Sequence, residues 1–140
     1  MTDRVAGRWT KPSGPVAGLI AVCVLIEGML QIGDAGLFGV PRFRALVYEH
    51  GGFWPGLLSN WQPNVPFQHV TMFVTYGFLH AGLWHLALNM VTLWSLGGAV
   101  MARVSQMKFF LVYGASLLGG GLGYAVLADT YRPMVGASGA

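Results

Sequence analysis

Apolar residues are concentrated in three stretches, each close to or above the roughly 18 residues that mark a candidate transmembrane helix. The first, PVAGLIAVCVLIEGMLQI, covers residues 15–32 and is interrupted only by Glu27 and Gln31. The second is predicted over Leu83–Met101 and the third over Phe109–Leu127. The pattern predicts an all-α, polytopic transmembrane helix bundle with three full spans.

The first apolar stretch follows a polar and basic segment, residues 1–14, which we expect to be a tail. A basic segment ahead of an apolar stretch is also typical of a secretory signal peptide. No small-x-small cleavage site follows the stretch and further spans come after it, which favours an uncleaved anchor. The predicted organisation is a tail over 1–14 and a membrane domain over 15–140.

Between the first two spans, residues 33–68 are rich in glycine, proline and aromatic side chains. Within VPRFRALVYEHGG, the side chains of Val40, Phe43 and Val47 share one helical face, and Gly51 can end the helix. A short amphipathic helix in an aromatic-rich segment is expected in the headgroup zone of a bilayer. An ordinary loop outside the membrane accounts for the same composition.

Composition supports a membrane location and narrows the function classes. The chain is 54% hydrophobic and 9% charged, whereas a soluble domain carries about 25% charged residues. A single cysteine, Cys23, excludes a disulfide framework and a thiolate metal cluster. The net charge of +3 comes from scattered basic residues that flank apolar stretches, a pattern that suits membrane orientation better than nucleic-acid binding.

The distribution of Lys and Arg predicts the orientation. The tail and the link between the second and third spans lie on one side and carry five basic residues, against three on the other side. The positive-inside rule therefore places the N-terminus in the cytoplasm and the segment after the third span toward the outer face. The five are Arg4, Arg8, Lys11, Arg103 and Lys108, and the three are Arg42, Arg44 and Arg132.

Three polar side chains interrupt the apolar segment FLHAGLWHLALNM: His80 near the mouth of the second span, then His85 and Asn89 within it. Polar groups in a bilayer are costly and usually face a bundle interior or a water-filled cavity. His85 and Asn89 are four residues apart, so they lie about 40° apart on one helix face. Two hydrogen-bond donors aimed at one point suit a developing oxyanion; hydrogen bonds that merely hold helices together are the alternative.

A metal site is disfavoured. His80 and His85 are five residues apart, which turns them by about 140° on a helix. The H-E-x-x-H arrangement instead needs two histidines on one face, and no carboxylate or thiol lies nearby in the sequence. The spacing and the lack of such ligands therefore argue against a zinc site.

The third span and the residues after it contain many small side chains. Ala115, Gly119 and Gly123 are spaced four apart, which predicts a face where helix backbones approach closely. After a loop over residues 129–135, GASGA would open a fourth helix. Small neighbours leave the Ser138 hydroxyl open to approach, and a helix start offers free N–H groups beside it. The sequence is not the G-x-S-x-G of soluble hydrolases, and helix packing is the alternative role.

The order of these features, a long loop, H-x4-H-x3-N, a glycine-rich span and then G-x-S-G, resembles the rhomboid family of intramembrane serine proteases from about residue 15 onward. The resemblance implies that Ser138 is the nucleophile and that His85, Asn89 and the Ser138 N–H stabilise the oxyanion. It also implies that Gly136 and Gly139 are motif glycines and that His80 is a structural neighbour at the cavity.

The family further implies cleavage of transmembrane or membrane-adjacent protein segments without metal or cofactor. The partners would be transmembrane protein substrates and the lipid bilayer, with no nucleic acid, in a bacterial inner membrane. Two features depart from the family pattern. The Trp-Arg pair that many members carry is replaced within HVTMFVTYG, and the general-base histidine of the family would lie downstream of Ala140. We therefore expect the N-terminal part of a rhomboid core, inactive by itself.

Two other functions compete with the protease. A non-catalytic rhomboid-like protein that binds membrane clients would explain the missing base but not the G-x-S-G motif with its oxyanion pair. A transporter or channel fragment would place His and Asn along a permeation path. That function predicts more polar residues in the third span than the three present: Tyr113, Ser116 and Tyr124.

Overall fold

A computed structural model of the chain describes residues 13–128 and 130–140. Those residues form five α-helices and three short 3-10 helices, and their one extended pairing is an antiparallel bridge between Phe53 and Met134. The α-helices are α1 (Gly14–Asp34), α2 (Phe43–Gly51), α3 (Gln68–Thr75), α4 (Leu83–Met101) and α5 (Gln106–Leu127). The 3-10 helices cover Pro55–Leu58, Tyr76–Phe78 and Ala137–Gly139.

The helices α1, α4 and α5 are long and apolar enough to cross a membrane. At about 1.5 Å rise per residue their 21, 19 and 22 residues each approach the ~30 Å thickness of a hydrocarbon core. The three predicted spans are therefore confirmed, with α5 starting three residues earlier than expected. Most of the predicted tail, residues 1–12, lies outside the described part of the chain.

Local sequence explains where the spans begin. Pro15 occupies the first turn of α1, where its missing N–H costs no hydrogen bond. Ser105 caps α5, because its hydroxyl oxygen accepts a hydrogen bond from the Lys108 N–H. Gly82 precedes α4 with a φ of 113°, a conformation that separates α4 from the short helices before it.

The segment between α1 and α4 is more helical than the sequence predicted. The amphipathic helix appears as α2 and ends at Gly51 as expected. The helix α3, which the apolar pattern did not separate from the second span, holds the last turn of α2. The Gln68 amide donates to the Glu49 carbonyl at 2.6 Å, and the Thr75 hydroxyl donates to the Gly51 carbonyl at 2.7 Å. Side chains of α3 thus provide the hydrogen bonds that hold the C-terminal end of α2.

Two buried clusters hold the elements together. One joins α1 to α4 and contains Cys23, Leu86, Met90 and Ala137. The other joins the α2–α3 region to α5 and contains Phe53, Met72, Tyr76 and Leu117. Because Ala137 belongs to the first cluster and Met134 packs against the second, the segment that carries Ser138 is anchored in both.

The glycine face of α5 differs from the prediction. Side-chain positions at Gly119 and Gly123 meet nothing within 4 Å among the described residues. A methyl group at Gly120 would instead collide with the Gly139 carbonyl oxygen, and one at Gly121 would lie 2.8 Å from the Phe53 ring. Within the described residues, close contacts are therefore made at Gly120 and Gly121 and not along the predicted Ala115–Gly119–Gly123 face. A helix with adjacent glycines offers several small faces, and the loop and residues 136–140 select one of them.

Candidate active site

The segment from Gly136 to Ala140 carries Ser138 on a single 3-10 turn. Gly136 has a φ of 124°, which residues with side chains rarely adopt. Its N–H donates to the Tyr76 carbonyl at 2.9 Å. The turn therefore starts from a fixed point on the short helix that precedes α4.

Both motif glycines lie where a side chain cannot fit. A methyl group at Gly136 would lie 2.7 Å from Cε1 and 2.9 Å from Nε2 of His85. A methyl group at Gly139 would collide with the Tyr76 hydroxyl. These glycines let the serine turn approach the histidine on one side and the tyrosine on the other.

His80 lies behind the serine turn and is fully buried. Its Nε2 accepts a hydrogen bond from the Ala137 N–H at 3.4 Å, so that nitrogen is unprotonated. Burial lowers the pKa of His80, and the nearby His85 lowers it further, which favours the neutral ring that this bond requires. The residues that line the neighbouring cavity do not include His80. It supports the serine turn from the inside.

His85 is oriented by its own backbone neighbourhood. Its Nδ1 accepts a hydrogen bond from the Ala81 N–H at 3.1 Å. A neutral imidazole that accepts at Nδ1 carries its proton at Nε2. The edge of the ring that faces Gly136 carries Cε1 and Nε2, at 2.7 and 2.9 Å from the side-chain position of that glycine, so His85 presents its donor toward the serine turn.

His85 and Ser138 converge on one point. The position a Gly136 methyl group would take is 2.9 Å from His85 Nε2 and 3.4 Å from Ser138 Oγ. An atom of a bound molecule close to that position would be within reach of both groups. The Ser138 side chain is exposed, and its N–H has no hydrogen-bond acceptor within the described ranges.

Asn89 lies one helical turn below His85 and is nearly buried. Its Nδ2 donates to the His85 carbonyl at 2.8 Å, which fixes the amide and leaves its second hydrogen available. The side chain lines the same cavity as His85 and Ser138. The structure therefore brings together the three side chains that the sequence assigned to one pocket.

The cavity has a volume of about 380 Å³ and lies between α4 and α5. Apart from the three polar side chains named above, its walls are mostly apolar. Its other lining residues include Leu88, Thr92, Leu93, Leu96, Phe109, Val112, Tyr113 and Ser116. The cavity is therefore an apolar pocket with a few polar side chains in its wall, a composition common to ligand-binding sites.

Sequence reasoning missed Tyr76. This residue is fully buried, its hydroxyl donates to the Leu117 carbonyl at 2.9 Å, and its carbonyl accepts from Gly136. Burial raises the pKa of Tyr76. Its contacts join α5 to the serine turn. The sequence near Tyr76 gives no sign of these contacts, because its partners Leu117 and Gly136 lie 41 and 60 positions later.

The described residues contain no group of three or more His, Cys, Asp or Glu side chains that could hold a metal ion. Within the same ranges, Ser138 Oγ makes no hydrogen bond to a histidine. His50 uses its Nδ1 to donate to the Leu46 carbonyl at 2.8 Å, within α2. A general base for Ser138 is therefore not among these contacts.

Comparison with known proteins matches residues 68–140 to the Rhomboid domain. Rhomboid protease GlpG of Serratia proteamaculans is 28% identical over 102 residues, or 71% of this chain and 31% of that protein. Rhomboid protease GluP of Bacillus subtilis is 40% identical over 62 residues, 44% of this chain and 12% of the relative. Rhomboid-related protein 3 of Homo sapiens is 39% identical over 70 residues, 50% of this chain and 17% of the relative.

The chain thus spans less than a third of the length of each of these relatives. The matched domain nevertheless covers more than half of the chain and contains His80, His85, Asn89 and Ser138. Together with three helices able to cross a membrane, this match shows that the chain is an integral, multi-pass membrane protein that belongs to the rhomboid family.

Proposed function

We propose that the chain is the N-terminal part of a rhomboid-type serine endopeptidase that cleaves transmembrane or membrane-adjacent protein segments. Ser138 is the nucleophile, and the donors to the oxyanion are His85 Nε2–H, the Asn89 amide and the Ser138 N–H. The observation that carries this proposal is the convergence of Ser138 Oγ and His85 Nε2 within 3.4 Å of one point, at a cavity that Asn89 also lines.

In the proposed reaction, Ser138 Oγ forms a bond to the scissile carbonyl carbon while its proton passes to a general base. Negative charge develops on the carbonyl oxygen, where preorganised donors in a low-dielectric site stabilise it strongly. Collapse of the intermediate breaks the C–N bond, and the amine leaves with a proton from the protonated base. Water then hydrolyses the acyl-enzyme by the same route.

Neither motif histidine is available as that base. His80 Nε2 already accepts the Ala137 N–H, and His85 accepts at Nδ1 and presents a protonated Nε2. The resemblance to rhomboids instead implies a histidine on a later span, downstream of Ala140. The hydrogen bonds of both histidines support a base elsewhere, because His80 holds the Ala137 N–H and His85 presents a donor.

Localisation and partners follow from the same proposal. The substrates are transmembrane proteins in the bilayer, and the enzyme resides in a bacterial inner membrane with its N-terminus in the cytoplasm. The positions of Lys and Arg between the spans support this orientation. Two of the relatives are named rhomboid proteases and come from bacteria, which supports the assignment of activity.

A second candidate is a rhomboid-like protein that binds membrane clients without cutting them. The observation that favours it is the lack of a hydrogen-bonded base at Ser138 in residues 13–128 and 130–140. A client-binding function does not explain why the Nε2–H of His85 is oriented toward the serine turn or why the Ser138 N–H has no acceptor among the described residues. We therefore place it second.

The deciding experiment uses the full-length product of the gene, purified and reconstituted in lipid. A fluorophosphonate probe should label it, and it should cleave a model transmembrane substrate; Ser138→Ala should abolish both. The matched control is Ser116→Ala, because Ser116 is a serine that lines the same cavity, and this variant should keep both activities. Labelling that survives Ser138→Ala, or capture of the substrate without cleavage, would refute the proposed function.

A further inference from the structure

We propose that Arg44 is a positioning residue for the candidate active site: bound to Glu27, it fixes the peptide at His80 and thereby the turn that carries Ser138. This inference rests on the proposed function and adds a role for a charged pair that lies outside the cavity. It is carried by a continuous chain of contacts from α1 through α2 to the serine turn.

The chain of contacts begins at Glu27, whose side chain is fully buried in α1. The Arg44 guanidinium binds both carboxylate oxygens, with Nη2 2.9 Å from Oε1 and Nη1 3.0 Å from Oε2. Gln31 also donates to Oε1 at 2.7 Å. This two-pronged geometry restrains the guanidinium plane as well as its position.

Arg44 also reaches the segment before α4. Its Nη1 donates to the His80 carbonyl at 2.9 Å, and the Tyr48 hydroxyl donates to the same carbonyl at 2.5 Å. Burial of the guanidinium opposes its charge, but hydrogen bonds to Glu27, Tyr48 and Asp34 outweigh that effect and raise the pKa of Arg44. The residue therefore stays charged at any pH at which the protein folds.

The His80 peptide needs such external support. It lies between the Tyr76–Phe78 helix and α4, and the next residues, Ala81 and Gly82, are not helical. The two donors from α2 occupy the His80 carbonyl, while its ring accepts the N–H of Ala137, which directly precedes Ser138. A rotation of this peptide would move the imidazole and release the turn beneath the nucleophile.

A purely stabilising role does not explain this arrangement. Replacing a buried ion pair with apolar residues of similar size is often neutral or stabilising, whereas one well-attested use of such pairs is to fix register. Arg44 also offers an internal comparison. Its Nε binds Asp34, whose side chain is 40% exposed, at 2.6 Å, whereas the contact to the His80 carbonyl is made by Nη1.

The test measures two quantities separately: the fraction of molecules that can react at Ser138, and the rate constant with which each of them reacts. Reaction of the full-length protein with a fluorophosphonate gives an amplitude, which counts competent molecules, and a rate constant at saturating probe. Loss of structure lowers the amplitude alone. Loss of positioning lowers the rate constant at an unchanged amplitude, and it lowers kcat for a transmembrane substrate with little change in KM.

Three variants test the contacts around Arg44 separately. The double variant Glu27→Gln with Arg44→Met removes the positioning contact without leaving a buried charge, and it should slow labelling about tenfold. Tyr48→Phe keeps the ion pair but removes one donor to the His80 carbonyl, and it should slow labelling about threefold. Asp34→Asn keeps both contacts to that carbonyl and should label at the rate of the unaltered protein.

Equal rate constants in all three variants, with only the amplitude reduced, would overturn the inference and leave the proposed function intact. Slowing by Asp34→Asn as large as that of the double variant would also overturn it, since charge alone would then explain the effect. If the unaltered protein is not labelled at Ser138 at all, the proposed function fails, and the inference fails with it.

Discussion

The serine turn has two sides that differ in almost every respect. Its inner side is packed: the Tyr76 ring leaves no room for an added methyl group at Gly139, and the Gly139 carbonyl leaves none at Gly120. The Tyr76 carbonyl and the His80 ring accept the N–H groups of Gly136 and Ala137. Its outer side faces the cavity between α4 and α5, and Ser138 is exposed there. The backbone is restrained while the hydroxyl is accessible.

This difference shows that the two sides of the turn meet two separate requirements, a fixed backbone and an accessible hydroxyl. Preorganisation requires reacting groups held within fractions of an ångström, which packing and hydrogen bonds provide. Access requires unfilled space, which packing would remove. The inner side therefore uses contacts from distant parts of the chain, and the outer side contributes a few oriented donors in an apolar wall.

The comparison breaks most severely if a side chain is added at Gly136, where the turn meets the His85 ring on the outer side. Gly136→Ala places a methyl group against the His85 ring at a φ of 124°, so the turn and the histidine must move apart. We expect labelling of Ser138 to fall by about 10³-fold. Gly119→Ala is the control, because no atom of residues 13–128 or 130–140 lies within 4 Å of that side-chain position, and it should label normally. Normal labelling of Gly136→Ala would mean that the turn is not held as described.

A second change removes the donors from the outer side. His85→Ala and Asn89→Ala should each lower kcat by about 10²–10³-fold if these residues stabilise an oxyanion. Thr92→Val on the same helix provides the control: its side chain lines the cavity, and its hydroxyl donates only to the Leu88 carbonyl among the described residues. Unchanged kcat in both variants would show that His85 and Asn89 do not stabilise the oxyanion and serve only to hold the helices together.

The smallest expected effect concerns pH and the inner side. Burial, and secondarily His85, lowers the pKa of His80 from its ordinary value of 6.5, while a hydrogen bond to the Phe78 backbone and the charge of Glu27 oppose this shift. As the pH falls below 6.5, the unfolded chain binds a proton that the folded ring does not. His80 should therefore lower the free energy of unfolding by at most about 1.4 kcal/mol per pH unit.

Unfolding midpoints measured from about pH 7 down to about pH 5 test this effect. His80→Gln keeps an acceptor for the Ala137 N–H but does not titrate, so its midpoint should depend less on pH than that of the unaltered protein. Parallel pH dependence in the two proteins would show that other groups control acid stability.

The spans could be predicted from sequence because hydropathy over about 20 residues is a local property. The helix α3 was missed for the same reason: eight residues are too few to span a membrane, and the apolar pattern continues through Gly77 and Ala81 into α4. The break there comes from Gly82 at a φ of 113°, which hydropathy does not register.

The sequence predicted the side chains that line the candidate site, but not the residues that hold them in position. His85, Asn89 and Ser138 belong to short motifs, and the structure places all three at one cavity. Tyr76 and Arg44 belong to none, since the partners that link them to Glu27, His80, Leu117 and Gly136 lie 17 to 60 positions away. Glu27 stood out in sequence as a charge within a span, yet only coordinates show that Arg44 neutralises it.

The bridge between Phe53 and Met134, with hydrogen bonds of 3.0 and 2.9 Å, bears on the order of assembly during synthesis. Every group that contacts the serine turn from below, from Phe53 to Gly120, leaves the ribosome before Ser138 does. The serine turn therefore docks onto contacts that have already been synthesised, and the nucleophile meets the oxyanion donors only after it has docked.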